Sequence, residues 1–349
     1  MRKRARKIGV VIGSLNPGTN NAITDVEGVG VSHVTIIKGD EIRSGVTAIT
    51  PHSGNLYEEK VTAAVDVFNG YGKSVGLTQI TFEGNIETPI LLTETLNTFK
   101  VADAVIDYLV ESYEVTPKTV NPVVGETNGS FLTNNMRRVV GEKEVFYAID
   151  FARKAHGKVD EGSVGAETPM TGYGFKGGIG TSSRKIGDAN IGVLVQLNCG
   201  RKEDLLINGA PIGKEVELKT QPEDSPGNSI IMIVATDIEM DSRQLWKVAK
   251  RTALGLSRTG SYSGNTSGDF TIAFTTGNLS QEDFVKSIDN TVKGEGWLNP
   301  VYKATVEATE EAIINALLMA ETMTGYKGNT RYELPIDQTK EILCKHNMI

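Results

Sequence analysis

The chain has 349 residues, 39% of them apolar, and a formal net charge of −7. That balance argues against nucleic acid as a partner. The longest unbroken apolar run, Ile230 to Ala235, is far too short to cross a bilayer. With two cysteines, Cys199 and Cys344, and no Cys-x-x-Cys pair, a disulfide framework is excluded.

In chain order, the basic head Arg2-Lys3-Arg4-Ala5-Arg6-Lys7 precedes an apolar stretch too short for a signal peptide, so it reads as a disordered tail on a cytoplasmic protein. Strands are expected at 45–50, 60–68 and 90–93. Helical spacing follows over 98–112, with Ala102, Val105, Ile106 and Leu109 on one face. Val145, Phe146, Ile149 and Ala152 mark a second helix. A strand is expected at 191–197 and another at 229–235. Leu245, Val248, Ala249, Thr252 and Leu256 mark a third helix stopped by Gly260. Phe270, Ile272 and Phe274 alternate with Thr271, Ala273 and Thr275, as in a strand with one buried face. A last helix over 302–324 is closed by Gly325. The polar stretch from Lys214 to Asn228 is the one convincing exposed break.

That break ends in Ser225-Pro226-Gly227-Asn228-Ser229, a turn that delivers a serine to the first residue of an apolar strand. Turn–Ser–strand sequences are common, and locally Ser229 need do no more than begin a strand. If the Asn228–Ser229 bond were cut, however, Ser229 would carry a hydroxyl beside a free α-amine. An α-amine titrates near 7.7–8.0, so a useful fraction can act as a base at neutral pH. The four histidines, His33, His52, His156 and His346, are scattered and read as surface or turn residues without zinc-ligand spacing. No His-based triad is offered, which favours the amine as base.

Segments around Ser229 carry the wider signal: Gly-Glu-Thr-Asn-Gly at 125–129, Tyr173 to Arg184, Gly192 to Asn198, Arg251 to Ser261, and Ser267-Gly268-Asp269. With Asn21 to Val29 at the start, this ordered set resembles the self-processing serine aminopeptidases, which include L-aminopeptidase/D-amino-acid esterases and β-peptidyl aminopeptidases. The resemblance implies one hydrolase domain of mixed α/β class, a four-layer αββα sandwich with two sheets flanked by helices. It implies autocleavage into an α-chain, 1–228, and a β-chain, 229–349. Ser229 would be the nucleophile, Asn198 the oxyanion donor, Ser267 and Asp269 the pair that orients nucleophile and amine, and Glu126 the anion for the substrate's amino group. Asn128, where some members have tyrosine, would border the substrate. Asn228 stands where glycine is common, Asp269 where some members have glutamate, and Ala166-Glu167-Thr168-Pro169 where the family is richer in glycine.

Each assignment has a plain competitor: a strand-end asparagine for Asn198, an ordinary turn for Ser267–Asp269, a solvated loop glutamate for Glu126. The Lys176–Arg184 run lacks the order of a phosphate loop and reads as tight backbone packing. No metal or organic cofactor is needed. The substrate implied is a short peptide, amino-acid amide or ester of L, D or β type, and the assembly implied is a homo-oligomer, a tetramer by resemblance. Three alternatives stay open: a related self-cleaving amino-acid N-acyltransferase, which typically exposes threonine, a non-processing small-ligand binding protein, and a nucleotide-binding module, whose melting temperature ATP or NAD would shift.

Overall fold

The computed structural model describes residues 2–113, 116–217, 229–289 and 291–349. Asn228 and most of the 214–228 break lie outside them. The first sheet holds β1 (Gly30–Lys38), β2 (Ile42–Thr50), β5 (Ile90–Glu94) and β6 (Val123–Thr127) in that order, with β5 and β6 parallel. The second runs β4 (Asn85–Ile86), β3 (Val61–Gly70), β12 (Gly268–Leu279), β11 (Ser229–Ile238), β10 (Ala189–Asn198), β9 (Ile179–Ile186). Within it only β11 and β12 are parallel. Two ribbons, β7 (Thr171–Gly172) with β8 (Phe175–Lys176) and β13 (Met323–Thr324) with β14 (Thr330–Arg331), stand apart from these sheets.

Alternation along β11 shows why the layers stack. Ile231, Ile233 and Ala235 face the first sheet, packing with Ile49, Ile90 and Leu92. Ile230, Met232 and Val234 face the other way, toward α5 (Ser242–Ala249) and α8 (Leu298–Met319). A strand covered on both faces reads as a continuous apolar run, and each such side chain contributes about 1.5–3 kcal/mol. On the far side of the first sheet, α2 (Thr98–Ser112) and α3 (Glu142–Ala152) pack Val101, Val105, Val145 and Ile149 on Val46, Ala48 and Leu91. Three apolar cores between four layers make the αββα sandwich. The shorter helices are α1 (Leu77–Glu83), α4 (Ile212–Glu215), α6 (Thr252–Arg258), α7 (Gln281–Ile288) and α9 (Ile336–Lys345). Among the described residues no helix is long and apolar enough to cross a membrane.

The structure corrects several sequence expectations. The basic head is ordered: Ala5 is fully buried, and its N–H donates to Asn315 Oδ1 at 2.9 Å. Arg4 pairs with Glu161 at 2.7 Å and Arg6 with Glu311 at 2.9 Å. Both carboxylates are buried, so the head supplies the cations they require. The expected third helix is two, α5 and α6. The Thr252 hydroxyl donates to the Ala249 carbonyl at 2.8 Å, taking the acceptor that a continuing helix would need. The last helix starts at Leu298 and stops at Met319, not at Gly325. There Ala320 is extended, the Ser163 hydroxyl accepts from the Glu321 N–H, and Met323–Thr324 pair in a ribbon. β12 is buried on both faces because it lies inside the second sheet, with Thr271, Ala273 and Thr275 covered as well. His33 lies on β1 and not in a turn, and burial pushes its imidazole down to about 4.

Candidate active site

Ser229 is the opening residue of β11, an interior strand between β10 and β12. Register places Asn198, the last residue of β10, directly opposite it. Directly opposed residues share a face, with Cβ atoms about 4.5–5.5 Å apart. The Asn198 carboxamide is oriented at both ends. Its Oδ1 accepts the Thr171 N–H at 3.0 Å, and its Nδ2 donates to the Asn128 carbonyl at 3.0 Å. A carboxamide nitrogen carries two N–H groups, so one remains for a further acceptor.

On the other flank, the Gly268 N–H donates to Ser229 Oγ at 3.1 Å. The residues either side of that glycine are themselves joined, the Ser267 hydroxyl donating to Asp269 Oδ1 at 2.6 Å. Asp269 Oδ2 is buried and has no hydrogen-bond partner among the described residues. Burial raises this carboxyl to about 6, with the Ser267 hydroxyl opposing the shift. Cys199, buried nearby, has its thiol pushed well up, first by burial and then by Asp269.

Glu126 is not a loop residue. It sits near the end of β6, is 5% exposed, and its Oε1 accepts the Lys73 N–H at 2.9 Å. The segment Gly70–Lys73 links it to the serine. Tyr71 donates its N–H to the Ser267 carbonyl at 3.1 Å, and a Cβ on Gly72 would lie 2.7 Å from the Phe270 ring and 3.2 Å from Glu126 Oε1. A second link runs through Asn128, whose carbonyl holds Asn198. The Asn128 side chain is exposed, and its Oδ1 accepts the Ser130 N–H at 3.0 Å.

Ser229, Asn198, Ser267, Asp269, Glu126 and the Asn128 backbone therefore gather at one end of the inter-sheet layer. The structure adds residues that sequence reasoning did not single out. Gly268 and Thr171 act through backbone N–H groups, which leave no mark in a side-chain pattern. Glu94, at the end of β5, is buried with Oε1 unpartnered among the described residues, and burial raises it to about 8. Behind Asn198, the buried Lys176 ammonium donates to the Glu167 and Gly177 carbonyls at 2.8 and 2.7 Å. Burial lowers Lys176 to about 7 and holds the Glu167 carboxyl well above its usual range.

With two packed sheets enclosed by helix layers and a match to a peptidase family model, the chain is a peptide hydrolase, and its fold is that of a solved relative described as a variant of the Ntn hydrolase fold. The chain belongs to peptidase family S58, whose model matches residues 21–331. It is 38% identical over 371 residues to the beta-peptidyl aminopeptidase BapA of Sphingosinicella xenopeptidilytica, covering 97% of this chain and 90% of that one. Among solved structures, the PH0078 protein from Pyrococcus horikoshii OT3 superposes with a TM-score of 0.89 at 44% identity, over 99% of this chain and 100% of that one. The L-aminopeptidase D-Ala-esterase/amidase from Ochrobactrum anthropi, described as a prototype for the serine aminopeptidases, superposes with a TM-score of 0.86 at 34% identity. That match covers 99% of each chain.

Proposed function

We propose that this protein is a self-processing aminopeptidase, cut between Asn228 and Ser229 by the serine's own hydroxyl. In this reading an acyl shift to an ester, followed by hydrolysis, frees the Ser229 amine. Residues 1–228 and 229–349 then remain one folded unit, since β11 is hydrogen-bonded to β10 and β12 on either side.

Ser229 Oγ attacks the carbonyl of an incoming substrate while the α-amine takes its proton. The remaining Asn198 N–H faces the developing oxyanion, a role worth several kcal/mol in related chemistry. Asp269, whose Oδ2 has no partner among the described residues, is the anion for the ammonium form of that amine, and Ser267 holds the carboxylate in place. Glu126 receives the substrate's amino group and so measures the distance to the scissile bond, with Asn128 at its border. Water then hydrolyses the acyl-enzyme. The chemistry needs no metal or organic cofactor.

The substrates are short peptides, amides or esters with a free amino terminus, as the names of the BapA relative and the Ochrobactrum amidase suggest. Resemblance alone extends the reading to a cytoplasmic homo-oligomer, a tetramer.

One observation carries the proposal: a half-buried serine at the start of an interior strand, opposite Asn198 and bonded to Gly268. Intact mass spectrometry of the wild type beside Ser229→Ala tests it. Two wild-type fragments meeting at Asn228 and Ser229, with an uncut variant, are expected. An uncut 37.6 kDa wild-type chain removes the amine base and leaves a non-processing binding protein.

A further inference from the structure

The position of Lys73 bears on which amino termini the site takes, and this step rests on the proposed role of Glu126. The Lys73 ammonium lies 3.4 Å from Glu126 Oε1 and also donates to the Thr95 hydroxyl. The Lys73 N–H reaches the same Glu126 oxygen. Its side chain is 43% exposed whereas that of Glu126 is 5% exposed, so the cation borders the open side of a nearly covered anion. Glu94, the other carboxyl here, is buried, and burial raises it to about 8, which favours its protonated form at pH 7. Among the described residues, the site presents to a substrate the Glu126 carboxylate with the Lys73 ammonium beside it.

A substrate bearing only an ammonium meets a like charge as it approaches Glu126. One that carries a carboxylate on the same carbon as its ammonium matches both groups, the ammonium on Glu126 and the carboxylate on Lys73. We infer that Lys73 is a specificity-determining residue, and that the favoured substrates are peptides or amides with a β-linked aspartyl amino terminus. In such a residue the amine-bearing carbon holds the carboxylate, and the scissile carbonyl follows one methylene later. It is a β-amino acid, in keeping with the beta-peptidyl aminopeptidase relative.

L-Aspartate β-p-nitroanilide and β-alanine p-nitroanilide differ only by that carboxylate, so they are the probes for the full-length protein. A charge-assisted hydrogen bond corresponds to roughly a tenfold or larger factor. Wild type is expected to favour the aspartyl probe at least tenfold in kcat/KM, mainly through KM. Lys73→Met should abolish the preference and Lys73→Arg should keep it. Equal or better turnover of the β-alanyl probe by the wild type overturns the assignment. So does a Lys73→Met variant that slows both probes in proportion, or preference for L-aspartate α-p-nitroanilide. Turnover of the β-alanyl probe without an aspartyl preference sinks this inference alone. A protein inactive on all three and on L-alanine p-nitroanilide sinks the aminopeptidase reading with it.

Discussion

Asn198 and Ser229 are cross-strand partners at the ends of β10 and β11, facing the same side of the sheet. The pairing makes their separation a property of the ladder, not of loop conformation. It also explains why the carboxamide is fixed at both ends, by the Thr171 N–H and the Asn128 carbonyl, before any substrate arrives. A donor already oriented costs little reorganisation when negative charge develops.

Removing that donor should therefore affect the chemical step more than binding. For Asn198→Ala, kcat is expected to fall by about 10²–10³ while KM stays within a few-fold. Steady-state kinetics on an aminoacyl p-nitroanilide separates the two. A variant that loses activity only through KM would place Asn198 in substrate binding instead.

Asp269 couples activity to stability with opposite signs. In the uncut chain, where the Ser229 nitrogen is an amide, burial raises this carboxyl from its ordinary 3.8 to about 6. Between those values the folded protein binds more protons than the unfolded one, so this group's contribution to stability falls as pH rises through the window. Above about 6 the buried ionised form costs on the order of 1–3 kcal/mol. In the cut enzyme the new ammonium at Ser229 holds this carboxyl lower, so activity should fall as pH drops through the amine's own range of about 7.7–8.0 and the base becomes protonated. Asp269→Asn is expected to be nearly inactive and, in the uncut Ser229→Ala background, to melt higher than Ser229→Ala alone at pH 8, with the gap closing near pH 4. Thermal melts across that range decide it; a variant that melts lower at every pH contradicts the burial argument.

Two substitutions on β9 separate the ways this strand is held. Arg184 is fully buried between Glu307, at 3.2 Å, and Glu311, at 2.8 Å. Arg184→Met leaves buried charge without its partner and should cost about 3–5 kcal/mol. Gly180→Ala would bring a Cβ to 1.9 Å from the Ala312 carbonyl on α8, an overpacking cost of about 1–3 kcal/mol. Urea denaturation measures both. If Gly180→Ala is neutral while added ATP shifts the melting temperature, the glycine-rich run binds phosphate after all.

Apolar patterning carried much of the fold. The 98–112 helix and the strands beginning near Ile90, Ile191 and Ser229 are legible because their periodicity is set by burial on one or two faces. β6 was not legible, since five residues ending in Glu-Thr offer too little alternation to tell a strand from a loop. β9 was hidden for another reason: its buried positions are Thr181, Ser182, Ser183 and Arg184, satisfied by partners far along the chain. The basic head looked like a tail because Glu161 and Glu311, which pair with its arginines, are remote in sequence.

The sequence by itself determined the residue types of the candidate site and their order, from Glu126 through Asn198 to Ser229, Ser267 and Asp269. Local chemistry suffices for that: a turn before an apolar strand, a carboxamide at a strand end, an acidic residue after Ser-Gly. Only the tertiary structure decided that strand register sets Asn198 opposite Ser229, and that the Gly268 N–H reaches its hydroxyl. Only it set Lys73 against Glu126. Register and backbone donors are decided by which strands share a sheet, and that follows from burying three apolar cores at once, a requirement no single stretch of chain expresses.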